Sequence, residues 1–175
     1  MNGIDKRQYV KFTFFKLDKC WKFLSDEDKA ESKEQFLSVL EEFSDQMLLL
    51  SYSTVGMRGD TDFLLWKICD ELELIQRITT QLLSTKLGHY LDISYSYLAM
   101  TKKSVYTDKH HHVGQGDKRF QVEPIGAKYL FVYPFVKIRD WYLLDKHVRQ
   151  TKMDAHITIG HKYPSVKINT TYSFG

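Results

Sequence analysis

The stretches YVKFTFFKLDKCWKFL, Tyr9–Leu24, and YLFVYPFVKIRDWYLL, Tyr129–Leu144, lie over one another without a gap at an offset of 120 residues. Tyr129 falls under Tyr9, Phe135 under Phe15, Trp141 under Trp21 and Leu144 under Leu24, the signature of a structural unit that opens twice. In the first copy Val10, Phe12 and Phe14 alternate with Lys11, Thr13 and Phe15, which predicts a strand over Tyr9–Leu17. Further along, Ser25 and Asp28 form a capping box, and Phe36, Leu37, Leu40 and Phe43 recur at helical spacing, so a helix is expected from Asp26 to about Phe43. Met47–Val55 reads as a strand, Gly56–Thr61 as a turn and Asp62–Ile68 as the antiparallel return. A second helix is expected over Asp70–Lys86, with Leu72, Ile75, Ile78 or Thr79 and Leu82 on one stripe and Gly88 as its stop. ISYSYLAM, Ile93–Met100, closes the set as a strand.

The order β-α-β-β-α-β is that of the split βαβ, ferredoxin-like arrangement: a four-stranded antiparallel sheet with both helices on one face. Residues 1–100 suffice for it. Residues 101–128 lose all sustained apolar period and read as a connecting loop, and residues 129–175 read as a second half. That half opens with the repeated strand, continues as a helix from about Leu144 to Gly160, and ends on a strand over Val166–Tyr172. The expectation is an α+β chain of duplicated ferredoxin-like halves with the second half cut short.

Composition narrows the function. Of 175 residues, 43% are hydrophobic and 14% aromatic, ample material for a packed core, which excludes a disordered chain. The balance of 25 Lys and Arg against 22 Asp and Glu leaves a formal charge of +3, short of the clustered basic footprint of a nucleic-acid binder. Without an apolar run of about 18 residues or an apolar leader, no membrane partner is expected and the location expected is cytoplasmic. Two cysteines, Cys20 and Cys69, make neither a disulfide framework nor a sulfur metal site. No glycine-rich nucleotide motif is present, and GMRG at Gly56–Gly59 belongs to the turn.

Candidate chemistry gathers in the later part of the chain. His156 shares a mostly apolar helical face with Met153, Ile157 and Gly160, where an imidazole either binds an axial metal or hydrogen-bonds a backbone carbonyl. Tyr133 precedes Pro134, whose missing N–H argues for a bulge or an edge strand able to aim Tyr133 and Lys137 at a cavity; the alternative is an ordinary strand Tyr and a solvated Lys. Arg119, in the loop, either grips a carboxylate or is solvated. The run His110, His111 and His112 cannot converge on one metal and is given no role. Asp26, Glu27 and Asp28 suit a helix N-terminus rather than catalysis.

Taken together, YPFVK followed by DWYLL, the helical HITIGHKYP and the final VKINTTYSFG resemble the chlorite dismutase-like family of haem proteins, which includes coproheme decarboxylases. The resemblance covers nearly the whole chain. It implies a duplicated ferredoxin-like, dimeric α+β barrel, haem (coproheme or haem b) and its iron in the second half, hydrogen peroxide as co-substrate, and a homo-oligomer, usually a ring of five. Carried over residue by residue, it makes His156 the iron ligand, Tyr133 and Lys137 catalytic, and Arg119, Lys137 and Tyr106 contacts to porphyrin carboxylates. Thirteen residues after His156, where true chlorite dismutases place an arginine, stands Asn169, a neutral amide able to hydrogen-bond peroxide but without charge for chlorite. The function expected is peroxide-dependent decarboxylation of coproheme to haem b. Two alternatives are a generic haem-dependent peroxidase, in which Tyr133 is incidental, and a haem-free oligomeric binding scaffold, in which His156 is a packed imidazole. Chlorite dismutation is disfavoured.

Overall fold

Strand β1, Tyr9–Leu17, is the centre of the sheet because both of its edges are filled. In the computed structural model, which describes residues 7–102, 106, 121–124 and 126–173, it pairs antiparallel with β3, Phe63–Cys69, and with β4, Leu91–Met100. A hairpin adds β2, Leu48–Ser53, outside β3, and the two-residue β5, Tyr172–Ser173, pairs Met100↔Tyr172 and Ala99↔Ser173, giving the order β2-β3-β1-β4-β5. Apart from β5 this is the ferredoxin-like order that the sequence predicts. A bulge between Phe14 and Phe15 shifts the β1–β4 register. At that corner the Phe15 carbonyl accepts both the Asp62 N–H, at 2.7 Å, and the Thr61 hydroxyl, at 3.0 Å.

Helix α1, Asp26–Glu42, starts where expected: the Ser25 side chain caps the Asp28 N–H and its hydroxyl donates to the Asp28 carboxylate. Helix α2, Leu72–Ser84, lies beside it on the same face of the sheet. Odd-numbered positions of β1 and β3 face these helices, so Phe15, Leu65 and Cys69 pack with Phe36, Phe43, Ile75, Ile78 and Leu82 in one core. Helix α2 ends before Gly88, as the sequence predicts, without a left-handed glycine. Gly88 opens the 3-10 turn Gly88–Tyr90, and a Cβ there would stand 2.2 Å from the Leu82 carbonyl oxygen, so the absence of a side chain permits a close approach of backbones. Among the described residues, no helix is long and apolar enough to cross a membrane.

The chain divides into two compact units, one of Met1–Lys102, Phe120–Glu123 and Thr171–Gly175, the other of Lys103–Arg119 and Pro124–Thr170. Within the second, the repeat is visible in backbone conformation. The 3-10 helix Lys19–Phe23 has its counterpart 120 residues on in α3, Arg139–Leu143. The flanking residues agree in φ and ψ: Asp18 (−63°, 148°) with Ile138 (−62°, 154°), and Leu24 (−69°, 152°) with Leu144 (−64°, 143°). The N-cap Ser25 becomes Asp145, and α1 becomes α4, Lys146–Gly160.

Two expected strands are corrected. Residues 129–138 form no ladder among the described residues; a strand exists only against partners, and what β3 and β4 do for β1 nothing does here. Phe135 is accordingly 67% exposed where its counterpart Phe15 is fully buried. Of the strand expected over Val166–Tyr172, only the last residue pairs among the described residues, in β5, and it does so with β4.

Candidate functional site

The second unit gathers its polar chemistry around Lys137. Pro134 takes the preceding segment out of any central-strand role, and Ile138, extended, turns the chain directly into α3. One turn of chain later Trp141 comes back against Lys137, whose Nζ lies 5.0 Å from the indole centroid and 5.4 Å from the ring of Tyr106. The two rings meet edge to face, 6.4 Å apart at 72°. From α4 the Gln150 amide donates to the Tyr106 carbonyl at 3.2 Å and to Asp154 Oδ1 at 2.7 Å, tying Tyr106 to the helix that also carries His156. No carboxylate pairs with Lys137 among the described residues, so its charge is met there by ring faces alone.

The structure thus brings Lys137 and Tyr106 together. Tyr133 is 73% exposed and stacks on Phe135 at 6.1 Å, His156 is exposed on α4, and Asn169 is half-buried. Arg119 and the run His110 to His112 lie outside the described residues. Trp141 and Gln150 are the residues that the site reading missed. Spacing gave a signal for Trp141, four residues after Lys137 and at the repeat position of the buried Trp21; nothing in the sequence marked Gln150.

The 120-residue register explains why these residue types stand where they do. Tyr133, Lys137, His156 and Asn169 correspond to Thr13, Leu17, Phe36 and Leu49 of the first half. Phe36 is 5% exposed in the core, Leu17 and Leu49 pack against that core, and Thr13 is buried on the same face of β1 as Phe15. Four positions that fill the space between sheet and helices in one half therefore carry a phenol, an amine, an imidazole and an amide in the other.

These residues fit an iron porphyrin. Among the described residues, the second unit holds two buried donors with no acceptor, Trp141 Nε1 and Arg149 Nε, besides the Lys137 amine without a carboxylate. Buried N–H groups are rarely left unpaired, so a donor excess of this kind suits a ligand that brings its own carboxylates. Among the described residues no three His, Cys, Asp or Glu converge on a metal position. A haem iron needs only one axial imidazole because the macrocycle supplies its other ligands, and His156 can be that one.

The family model described as chlorite dismutase matches residues 29–175. The coproheme decarboxylase of Mycolicibacterium smegmatis is 27% identical over 151 residues, an alignment covering 85% of this chain and 63% of that protein, so the chain spans less than two thirds of that relative's length. Among solved structures, chlorite dismutase from Candidatus Nitrospira defluvii in complex with imidazole superimposes with a TM-score of 0.71 at 21% identity, over 89% of this chain and 66% of that one. A haem-binding protein from Thermus thermophilus gives 0.70 at 20% identity, over 90% and 68%. With a family-model match across most of its length, the chain belongs to the chlorite dismutase family.

Proposed function

We propose that the protein is a haem-binding oxidoreductase that takes coproheme as its substrate and, with hydrogen peroxide, converts propionate side chains to vinyl groups. The observation that carries this reading is the exchange of Thr13, Leu17, Phe36 and Leu49 for Tyr133, Lys137, His156 and Asn169 at matching positions, a phenol, an amine, an imidazole and an amide in place of side chains that lie in or against the core of the first half. Each turnover balances: a propionate, one peroxide and one proton give a vinyl group, carbon dioxide and two waters, the two electrons lost by the propionate reducing the peroxide. The bound iron porphyrin supplies the uptake of those oxidising equivalents.

The chain's own groups do the rest. His156 would hold the iron through its imidazole, Lys137 and, by resemblance, Arg119 and Tyr106 would hold carboxylates through charge-assisted bonds, and the Asn169 amide would hydrogen-bond peroxide. Tyr133 would give up its phenolic hydrogen and take one from the propionate chain, removing the first of the two electrons that the chain loses before carbon dioxide leaves and the vinyl group forms. Asn169 carries no charge to hold chlorite, so dismutation is not part of the proposal. Assembly as a ring of five in the cytoplasm, as in the resemblance, belongs to the same reading.

The test is a titration with coproheme and haem b followed by peroxide, with porphyrins separated by mass. Loss of about 46 mass units per propionate, the carbon and oxygens of the carboxyl group plus two hydrogens, is the expected product pattern. Coproheme recovered unchanged from the wild type refutes it. A second reading, peroxidase turnover without decarboxylation, is favoured by one observation, the exposure of Tyr133 and its stacking on Phe135. Tyr133→Phe separates the two, since it abolishes decarboxylation and leaves peroxidase turnover.

A further inference from the structure

In the first half the position equivalent to Lys137 is Leu17, packed against the core, and the position equivalent to Trp141 is Trp21, buried and set edge to face on Tyr90 at 5.6 Å. The second half keeps the tryptophan of this apolar frame and replaces the leucine by a lysine. Lys137 is half-buried, and no carboxylate meets its ammonium among the described residues. Two ring faces at 5.0 and 5.4 Å do, which is the geometry of a cation held by aromatic quadrupoles. A carboxylate partner would neutralise the amine and compete with an incoming anion; ring faces leave its charge intact and its remaining N–H donors unspent.

We propose that the rings of Trp141 and Tyr106 form an aromatic cradle that fixes the Lys137 side chain in one orientation while keeping its charge available to a carboxylate of the substrate, with Trp141 as a positioning residue. Gln150 belongs to the same device, because its bond to the Tyr106 carbonyl holds that ring to α4. The inference deepens the proposed function by naming what aims the amine, and it rests on that reading only for the identity of the anion.

The test has two arms on the full chain. Without ligand, the ε-methylene protons of Lys137 are expected upfield of ordinary lysine values, from the two ring currents. Acetylation of Lys137 by a water-soluble reagent, followed by peptide mass spectrometry, is expected to be slow, several-fold faster in Trp141→Leu and restored in Trp141→Phe, with the other lysines as internal references. Ordinary wild-type ε-proton shifts overturn the cradle, and so does a Lys137 rate unchanged in folded Trp141→Leu. The wild-type spectrum decides the matter even where the leucine variant does not fold. With coproheme as probe, and measured against Trp141→Phe, which keeps a ring but lacks the indole N–H, Trp141→Leu and Lys137→Met/Trp141→Phe are each expected to weaken binding about five- to tenfold, the scale of one partly desolvated cation–π contact, and Lys137→Met/Trp141→Leu no further. Additive losses overturn the claim that Trp141 acts through Lys137. Absence of any porphyrin binding refutes the proposed function, and the ligand-free arm still decides the cradle.

Discussion

Lys67 is fully buried beneath α2, an unusual place for an amine, and its replacement by methionine is expected to stabilise the protein at neutral pH. Its Nζ has one polar neighbour among the described residues, Thr79 Oγ1 at 3.1 Å, which already donates to the Ile75 carbonyl. Directly across the ladder stands another lysine, Lys11, whose amine donates to Ser96. Burial first, and the charge of Lys11 second, push the Lys67 amine from 10.5 down to about 8. The gap of about 2.5 pH units corresponds to roughly 3 kcal/mol at 1.36 kcal/mol per unit. The folded chain holds this proton less tightly than the unfolded chain. Below pH 8 both states are charged and the full cost stands; between 8 and 10.5 only the unfolded state keeps the proton, so stability rises with pH; above 10.5 the cost is gone. Methionine has nearly the same shape and no charge. Urea unfolding of wild type and Lys67→Met, followed by circular dichroism at several pH values, should therefore give a variant more stable by about 2–3 kcal/mol at pH 7, its advantage shrinking towards zero by about pH 10.5. Tyrosine ionisation affects both proteins alike and cancels in the difference. A variant less stable than wild type at pH 7, or a difference that does not change with pH, would falsify the reasoning.

Three shorter expectations follow from the same structure. In the β2–β3 turn, Asp60 accepts both Arg58 and the Tyr95 hydroxyl, and that hydrogen bond, followed by the carboxylate charge, raises the Tyr95 pKa; Asp60→Asn should bring phenolate formation at Tyr95 to lower pH in an ultraviolet or NMR titration. Gly88→Ala forces a methyl to within 2.2 Å of the Leu82 carbonyl oxygen and 2.7 Å of the Leu83 backbone, and should cost about 2–4 kcal/mol in urea unfolding, whereas a cost below about 0.5 kcal/mol contradicts the close approach. His156→Ala should remove the absorption change that haem binding produces while leaving circular dichroism intact; an unchanged spectrum assigns the iron to another residue.

The first half was legible because each local signal agrees with the whole. β1 alternates with period two, Ser25 caps α1 as its spacing implies, and one apolar stripe of α2 meets one face of the sheet. What was not legible depends on tertiary neighbours. Residues 129–138 have the composition of a strand, but composition does not supply the partners that make one. Lys67 sits at an inward position of β3 where alternation calls for an apolar residue, and nothing along the chain tells how deeply α2 covers it. Trp141 looked like part of the repeat's frame, and its second use emerges only from the distance between its ring and an amine.

The repeat also says what the second half gives up. Phe36, Leu17 and Leu49 contribute burial worth about 1.5–3 kcal/mol for each fully covered side chain, and their counterparts His156, Lys137 and Asn169 forgo most of it. A frame that sacrifices core at several positions is weakened unless something else covers them, and a flat, largely apolar tetrapyrrole with acidic edges suits the donors left over. Binding and stability are then linked: a ligand taken up only by the folded second half stabilises it by about 2.7 kcal/mol at roughly a hundredfold excess over its dissociation constant. Backbone amides of α4 should accordingly exchange with solvent faster than those of α1 in the free protein, and slow down on addition of coproheme. Equal protection of the two helices without ligand would mean that the substituted positions are packed as tightly as the originals, and the argument from the repeat to a binding slot would fail.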